Sequence, residues 1–137
     1  MGRVNKIEYI TIASTGNATD FGDLTVARNY GQSASTSVRG VNAGGTDGSA
    51  SNVIDYVTIA STGDAADFGD LTVARLQSFG GMSDTTRGVF GGGTNPDNVT
   101  IDYITIATTG NAADFGDMSV QTGDTNNISD SHGGLQG

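Results

Sequence analysis

Short runs of β-branched and aromatic residues, separated by turns of small polar residues, recur along the whole chain. Residues 54–59 read IDYVTI and place apolar side chains on both faces, as in a strand that is buried on both sides. Residues 61–64 form a turn cluster, and residues 68–73 form a second predicted strand. Two shorter strands are predicted at 79–83 and 87–91. Because no stretch repeats apolar residues every 3.6 positions, the pattern predicts an all-β protein without helices.

One phrase of strands and turns occurs three times, at a spacing of 47 residues. Residues 7–28 read IEYITIASTGNATDFGDLTVAR, residues 54–75 repeat this phrase with four differences, and residues 101–120 repeat most of it. Four short antiparallel strands in a period of about 40 to 50 residues are typical of a β-propeller blade. A β-solenoid is the competing architecture, but its coils usually have shorter periods. The repeat therefore favours a β-propeller with four-stranded blades.

The repeat divides a single domain, residues 1–137, into three blades, one of which is split. Residues 1–28 supply strands three and four of a blade, residues 29–75 and 76–122 supply one blade each, and residues 123–137 supply strands one and two. Three blades do not close a ring, since known propellers have about four to eight. The halves at the two ends complement each other. We therefore expect a six-bladed homodimer assembled head to tail, with a filament or a fragment of a longer chain as alternatives.

The order of these features resembles that of Kelch repeats. Each repeat has a double glycine after the second strand, an aromatic residue in the third, an apolar–Gly–Asp–apolar fourth strand and a closing arginine. These residues are the glycine pairs 44–45 and 92–93, the aromatic residues Tyr56 and Tyr103, and the arginines Arg28 and Arg75. The tryptophan typical of the Kelch fourth strand is absent, and Phe21, Phe68 and Phe115 stand in its place. The resemblance implies a Kelch-like β-propeller.

The amino-acid sequence of the repeated phrase is similar to repeats in tail and virion proteins of marine bacteriophages, especially those that infect cyanobacteria. The phrase is the one at residues 7–24, IEYITIASTGNATDFGDL. This resemblance implies a place in a phage tail or virion and a structural or adhesion role. The expected partners are other copies of this chain, other virion proteins and cell-surface glycans.

Composition and charge exclude several classes of partner. The net charge is −9, from 6 basic and 15 acidic residues, and the basic patch of a nucleic-acid binder is absent. The same charge disfavours anionic membrane surfaces. No run approaches the roughly 18 apolar residues that span a bilayer, and no secretory signal follows Met1. Since cysteine is absent, disulfides and thiolate metal sites are excluded. A soluble protein is expected.

Neither catalysis nor a cofactor is expected. Asp-Phe-Gly-Asp occurs at 20–23, 67–70 and 114–117, and this repetition indicates a structural element rather than a kinase metal motif. The glycines at 91–93 are not followed by the helix that a phosphate cradle requires. His132 is the sole histidine and cannot build a zinc site without cysteines. Near-identical blades supply the same residues at each position, whereas an active site needs a set of different ones. Calcium binding by the aspartates stays open.

The loops at one end of the blades differ between copies, while the loop joining strands three and four is nearly invariant. If a ligand is bound by residues that differ between blades, the variable end is the candidate. Free drift of loop sequences is the other interpretation. The candidate ligand face consists of Asn29, Tyr30, Gln32, Asp47, Gln77, Phe79, Asn95 and Asp97. Repeated sites would give avidity for multivalent glycans, so a carbohydrate-binding module is the alternative function.

Four of the six basic residues occupy repeated positions in the chain. They are Arg28, Arg39, Arg75 and Arg87. We expect these arginines to pair with aspartates between neighbouring blades, and the candidate partners are Asp23, Asp70 and Asp117. Solvated charges at the rim of the blades are the alternative.

Overall fold

Every regular element of the structure, a computed structural model that describes residues 2–76, 80–94 and 98–122, is a β-strand. In chain order the strands are β1 (Lys6–Tyr9), β2 (Thr19–Asp23), β3 (Gln32–Ser35), β4 (Arg39–Ala43), β5 (Ser51–Thr58), β6 (Ala66–Arg75), β7 (Gly81–Ser83), β8 (Arg87–Gly91), β9 (Thr100–Thr105) and β10 (Ala113–Asp117). The prediction of an all-β chain is confirmed. The half blade predicted at 123–137, which includes His132, lies outside the described residues.

In the part of the chain that the structure describes, the strands form three antiparallel sheets, none of which closes on itself. Sheet I contains β1 and β2, sheet II contains β3 to β6, and sheet III contains β7 to β10. Each strand pairs with the next strand along the chain, so each sheet is a meander. Such sheets follow from short strands joined by tight polar turns.

A β-bulge at the Asp-Phe-Gly motif recurs in all three sheets. In sheet II, Asp55 pairs with Asp67 and Ile54 pairs with Gly69, so Phe68 has no partner across the ladder. The same irregularity separates the corresponding residues of sheets I and III. A bulge redirects the side chain of the extra residue. In sheet II the freed phenylalanine meets Tyr56 edge to face, with ring centroids 5.8 Å apart. The repeated Asp-Phe-Gly is therefore a structural element.

The apolar core lies between sheets II and III. Its buried members are Ala34, Val41, Ala43, Ile54, Phe68, Leu71, Phe90, Ile104 and Ile106. Sheet I contributes no residue to this cluster. The two-stranded sheet therefore stands at the margin of the core, although its sequence nearly matches that of β5 and β6.

A carboxylate closes the turn between β7 and β8. The Asp84 carboxylate accepts hydrogen bonds from the backbone N–H groups of Arg87 at 2.6 Å and Thr86 at 2.7 Å. These two bonds, that of Arg87 first, lower the pKa of Asp84 below its ordinary value of 3.8. The carboxylate is thus held more favourably in the folded chain than in the unfolded one.

We predict that Asp84→Asn reduces the acid sensitivity of folding. Because the folded pKa of Asp84 is lowered, its contribution to stability is fully present above pH 3.8 and is lost as the pH falls through the lowered pKa. The free-energy difference between wild type and variant should therefore shrink as the pH falls below about 4. Urea unfolding at several pH values measures this difference, and a gap that stays constant down to pH 2 would contradict the assignment.

Candidate functional site

The contact between neighbouring sheets is built around a buried ion pair. Arg75, the last residue of β6 in sheet II, extends into sheet III and pairs with the carboxylate of Asp102 on β9. Both side chains are 0% exposed. The guanidinium also donates to the carbonyl oxygens of Phe90 and Thr100, each at 3.3 Å, and Thr72 donates its hydroxyl to the same carboxylate. The charges are therefore desolvated together and satisfied by several hydrogen bonds.

The same arrangement occurs one repeat earlier, between sheets I and II. Arg28 pairs with Asp55 on β5 at 2.9 Å, and both side chains are buried. Thr25 donates to this carboxylate from its backbone N–H and its hydroxyl. Arg28 also donates to the carbonyl oxygen of Asn42 at 3.1 Å. Each of the arginine, threonine and aspartate positions differs by 47 between the two contacts, so the contact is a property of the repeat.

Burial lowers the pKa of Arg28 and Arg75, and the facing carboxylates Asp55 and Asp102 oppose that shift. Arginine nevertheless stays protonated in proteins, because its ordinary pKa lies above about 12. Each contact therefore buries a full positive charge, which is stabilised by the facing carboxylate.

The double glycine lets the backbone close on the arginine. The N–H of Gly45 donates to the carbonyl oxygen of Arg75 at 3.0 Å. A Cβ at Gly44 would lie 3.3 Å from the Arg75 side chain, and a Cβ at Gly93, in the next sheet, would lie 2.9 Å from it. All three glycines have positive φ angles, which side chains disfavour. The arginine is thus enclosed from both sheets.

A second set of contacts joins the bulge of one sheet to the loop between the last two strands of the next. The N–H groups of Gly63 and Ala65 donate to the carbonyl oxygens of Phe21 and Asp23, at 2.7 and 2.8 Å. Asp64 accepts a hydrogen bond from the N–H of Asp23 at 3.0 Å. Between sheets II and III the same bonds join Gly110, Asn111 and Ala112 to Phe68 and Asp70, at 2.7 to 3.1 Å.

The glycine of the bulge is required by this second contact. A Cβ at Gly69 would overlap the carbonyl oxygen of Gly110, and a Cβ at Gly22 would overlap that of Gly63. The Asp-Phe-Gly motif and the loop that follows the third strand vary little between copies. The motif of one sheet binds the loop of the next sheet, so this one contact accounts for both.

Arg28 and Arg75 do not pair with the aspartates that the sequence predicted. Asp23 and Asp70 contribute backbone N–H and C=O groups to the contact between sheets, and Asp117 is exposed. The carboxylates that face the arginines are those of Asp55 and Asp102. The reason is geometric. The predicted aspartates follow the bulge on an edge strand of each sheet, whereas Asp55 and Asp102 lie on the inner strands β5 and β9. An acidic residue within an otherwise apolar strand was the available signal.

The other two repeated arginines have a different role. Arg39 stacks on Tyr56 with 4.5 Å between guanidinium carbon and ring centroid, and Arg87 stacks on Tyr103 at 4.8 Å. Arg39 also donates to the carbonyl oxygen of Ile106, the residue that follows β9 of sheet III, at 2.9 Å. This arginine therefore contacts the neighbouring sheet by a hydrogen bond to backbone, and it makes no ion pair among the described residues.

The candidate ligand face is only partly assembled among the described residues. The backbones of Asn29 and Thr46 exchange two hydrogen bonds of 2.9 to 3.0 Å, which places Tyr30 beside the loop of Asp47. Gln32 does not belong to this face, because it is fully buried and donates to the carbonyl oxygen of Gly91 at 2.7 Å. The remaining predicted members, Gln77, Phe79, Asn95 and Asp97, lie outside the described residues.

Within residues 2–76, 80–94 and 98–122, no three histidine, cysteine or acidic side chains converge as a metal site would require. The same residues include no helix of the length and apolar character needed to cross a membrane. No protein-family model and no curated protein sequence matches the chain. The candidate functional site is therefore defined by the geometry of the contacts between sheets.

We predict that Asp102→Ala destabilises the fold by about 3–5 kcal/mol, because it leaves Arg75 buried without its partner. Replacing both residues, Arg75→Met with Asp102→Leu, should recover most of that loss. The matched control is Asp20→Ala, which removes the exposed Lys6–Asp20 pair and should change the free energy of unfolding far less, because solvent screens that pair. Urea unfolding at one protein concentration measures all three, and equal losses for Asp102→Ala and Asp20→Ala would contradict the role of the buried pair.

Proposed function

We propose that this chain is a non-enzymatic structural or adhesion protein whose copies assemble into a Kelch-like β-propeller. In this proposal sheets II and III are whole blades and sheet I is half of one. Residues 123–137 of another copy supply the first two strands of the half blade. Two chains then make six blades without a free edge. The location is a phage tail or virion.

The observation that carries the proposal is a graded exposure of one isoleucine position. Ile12, Ile59 and Ile106 occupy the same place in the three phrases, and they are 95%, 46% and 0% exposed. The sheet before Ile106 has four strands, the sheet before Ile59 has two, and no sheet precedes Ile12. The burial of this isoleucine therefore increases with the number of strands in the preceding sheet. Adding two strands to sheet I would cover Ile59.

An open cleft beside β1 supports the place of those two strands. Among the described residues, β1 pairs with β2 along one edge only. β1 also lines a cleft of about 560 Å³, together with strands of sheets II and III. Its lining includes Ile7, Val41, Tyr56 and Met82. An unpaired edge beside an apolar cleft favours strand addition.

The non-enzymatic part of the proposal is supported by the structural role of the repeated polar residues. The repeated arginines, threonines and aspartates are used in contacts between sheets. The place in a phage tail or virion is supported by the similarity of the repeated phrase to tail and virion repeats.

Deleting residues 123–137 tests the split blade. We expect the shortened chain to fold and to lose the assembly that depends on strand exchange, because the edge of β1 would no longer gain strands. Light scattering gives the mass of each form. Amide hydrogen exchange of residues 6–9 gives the pairing of β1: the N–H groups that do not face β2 should be protected in the full chain and exchange fast in the shortened one. Unchanged mass and unchanged exchange after the deletion would contradict the proposal.

A carbohydrate-binding module is the second candidate, and one backbone feature favours it. Tyr30 is the single described residue other than glycine with a positive φ, 62°, and its side chain is 46% exposed. Strained conformations of this kind cluster at binding sites, and an aromatic ring is a usual platform for sugars. Tyr30 lies on the candidate ligand face beside the Asp47 loop.

We predict that, if the face binds glycans, Tyr30→Ala reduces binding on a glycan array at least tenfold while the melting temperature stays within a few degrees. Val38→Ala, at an exposed turn on the opposite end of sheet II, is the control and should leave binding unchanged. An array without hits for the wild type would remove this candidate and leave the structural proposal standing.

A further inference from the structure

The outer edge of sheet III repeats a surface that is covered in the other two sheets. We name the trailing face as Phe115, Gly116 and Asp117 of β10. Phe115 is 55% exposed, whereas its counterpart Phe68, which meets sheet III, is 3% exposed. A Cβ at Gly116 would meet nothing within 4 Å, whereas one at Gly69 would overlap the next sheet. The backbone of the glycine is nevertheless the same, with φ of 142° and 143°.

The opposite end of the chain carries the complementary surface. We name the leading face as Ile12 together with Gly16, Asn17 and Ala18. The last three are the counterparts of the loop residues of sheets II and III that bind the bulge of the preceding sheet. Ile12 is 95% exposed, whereas Ile106 is fully buried, and Ala18 is exposed, whereas Ala65 and Ala112 are partly buried. Among residues 2–76, 80–94 and 98–122, the two halves of a contact made twice within the chain are therefore both present and both uncovered.

We propose that the leading face of one copy binds the trailing face of a second copy through the bonds seen between the sheets of one chain. Gly16 N–H would donate to the carbonyl oxygen of Phe115, Ala18 N–H to that of Asp117, and Asn17 would accept from the N–H of Asp117. The proposal rests on the self-assembly proposed above and adds a second interface, distinct from the strand exchange at β1.

This interface lacks the buried ion pair of the internal contacts. The position of Arg28 and Arg75 is taken by Thr122, whose carbonyl oxygen accepts from Gly93 N–H at 3.3 Å as that of Arg75 accepts from Gly45. Glu8 stands in the position of Asp55 and Asp102, and it is exposed. No arginine thus faces Glu8 across the interface. Glu8 would enter the contact without an arginine partner, so we expect the contact between copies to be weaker than the contacts within one chain.

Two cysteines introduced into this cysteine-free chain test the contact. Asn17→Cys and Asp117→Cys in one chain place thiols on the two faces, and a bismaleimide should join them between copies. Asp64→Cys with Asp23→Cys is the matched control, because that pair makes the same contact within the chain at 3.0 Å. We expect the first pair to give covalent dimers or larger species on a denaturing gel, and the control to give a cross-linked single chain.

Each single-cysteine variant should give less than a tenth of the covalent dimer. Phe115→Glu in the double-cysteine chain should reduce the product at least fivefold, whereas Val38→Glu, at a residue exposed to 60%, should not. If the control pair reacts and the Asn17–Asp117 pair does not, the inference is overturned. A wild-type mass above one chain in that case would leave the strand exchange at β1 standing, and a monomer mass would remove both.

Discussion

The rest of the structure depends on an arginine that is buried between two sheets and paired with an aspartate from the second sheet. Removing either partner leaves a charge in a place that water does not reach, which costs more than the pair itself contributes. Because Arg28 and Asp55, or Arg75 and Asp102, come from different sheets, the requirement acts on how the sheets sit together. The double glycines and the threonines that donate to the aspartates follow from the same requirement.

A small antiparallel sheet buries little by itself, and its stability comes from the neighbours on which it packs. The three phrases differ at few positions, yet their equivalent residues range from fully buried to nearly fully exposed. Sequence alone does not determine burial here, since the presence of a neighbouring sheet does. The surfaces left open in the described residues expose Ile12 and Phe115, whose counterparts Ile106 and Phe68 are buried, and this is the physical reason to expect that other copies cover them.

The strands and the all-β class could be predicted because β-branched alternation and a regular repeat are local signals. The strand predicted at residues 87–91 was found with those bounds, as β8. The aspartates stand out as acidic residues within apolar strands, but their pairing with arginines could not be predicted, since Asp55 and Asp102 meet the arginines only through the packing of one sheet on the next. Gln32 was assigned to the variable loop because residues 29–32 differ between copies, but it begins β3 and is buried against the Gly91 carbonyl. The bulge at Phe68 has no local signal beyond the glycine that follows it.

The measurement that most directly tests whether the contacts between sheets continue from one chain to another is the mass in solution by light scattering on a size-exclusion column. We predict a mass of about 28 kDa, twice the 13.8 kDa of one chain, for a ring of two copies. A stable, folded species of 13.8 kDa at all concentrations tested would contradict assembly through the open faces.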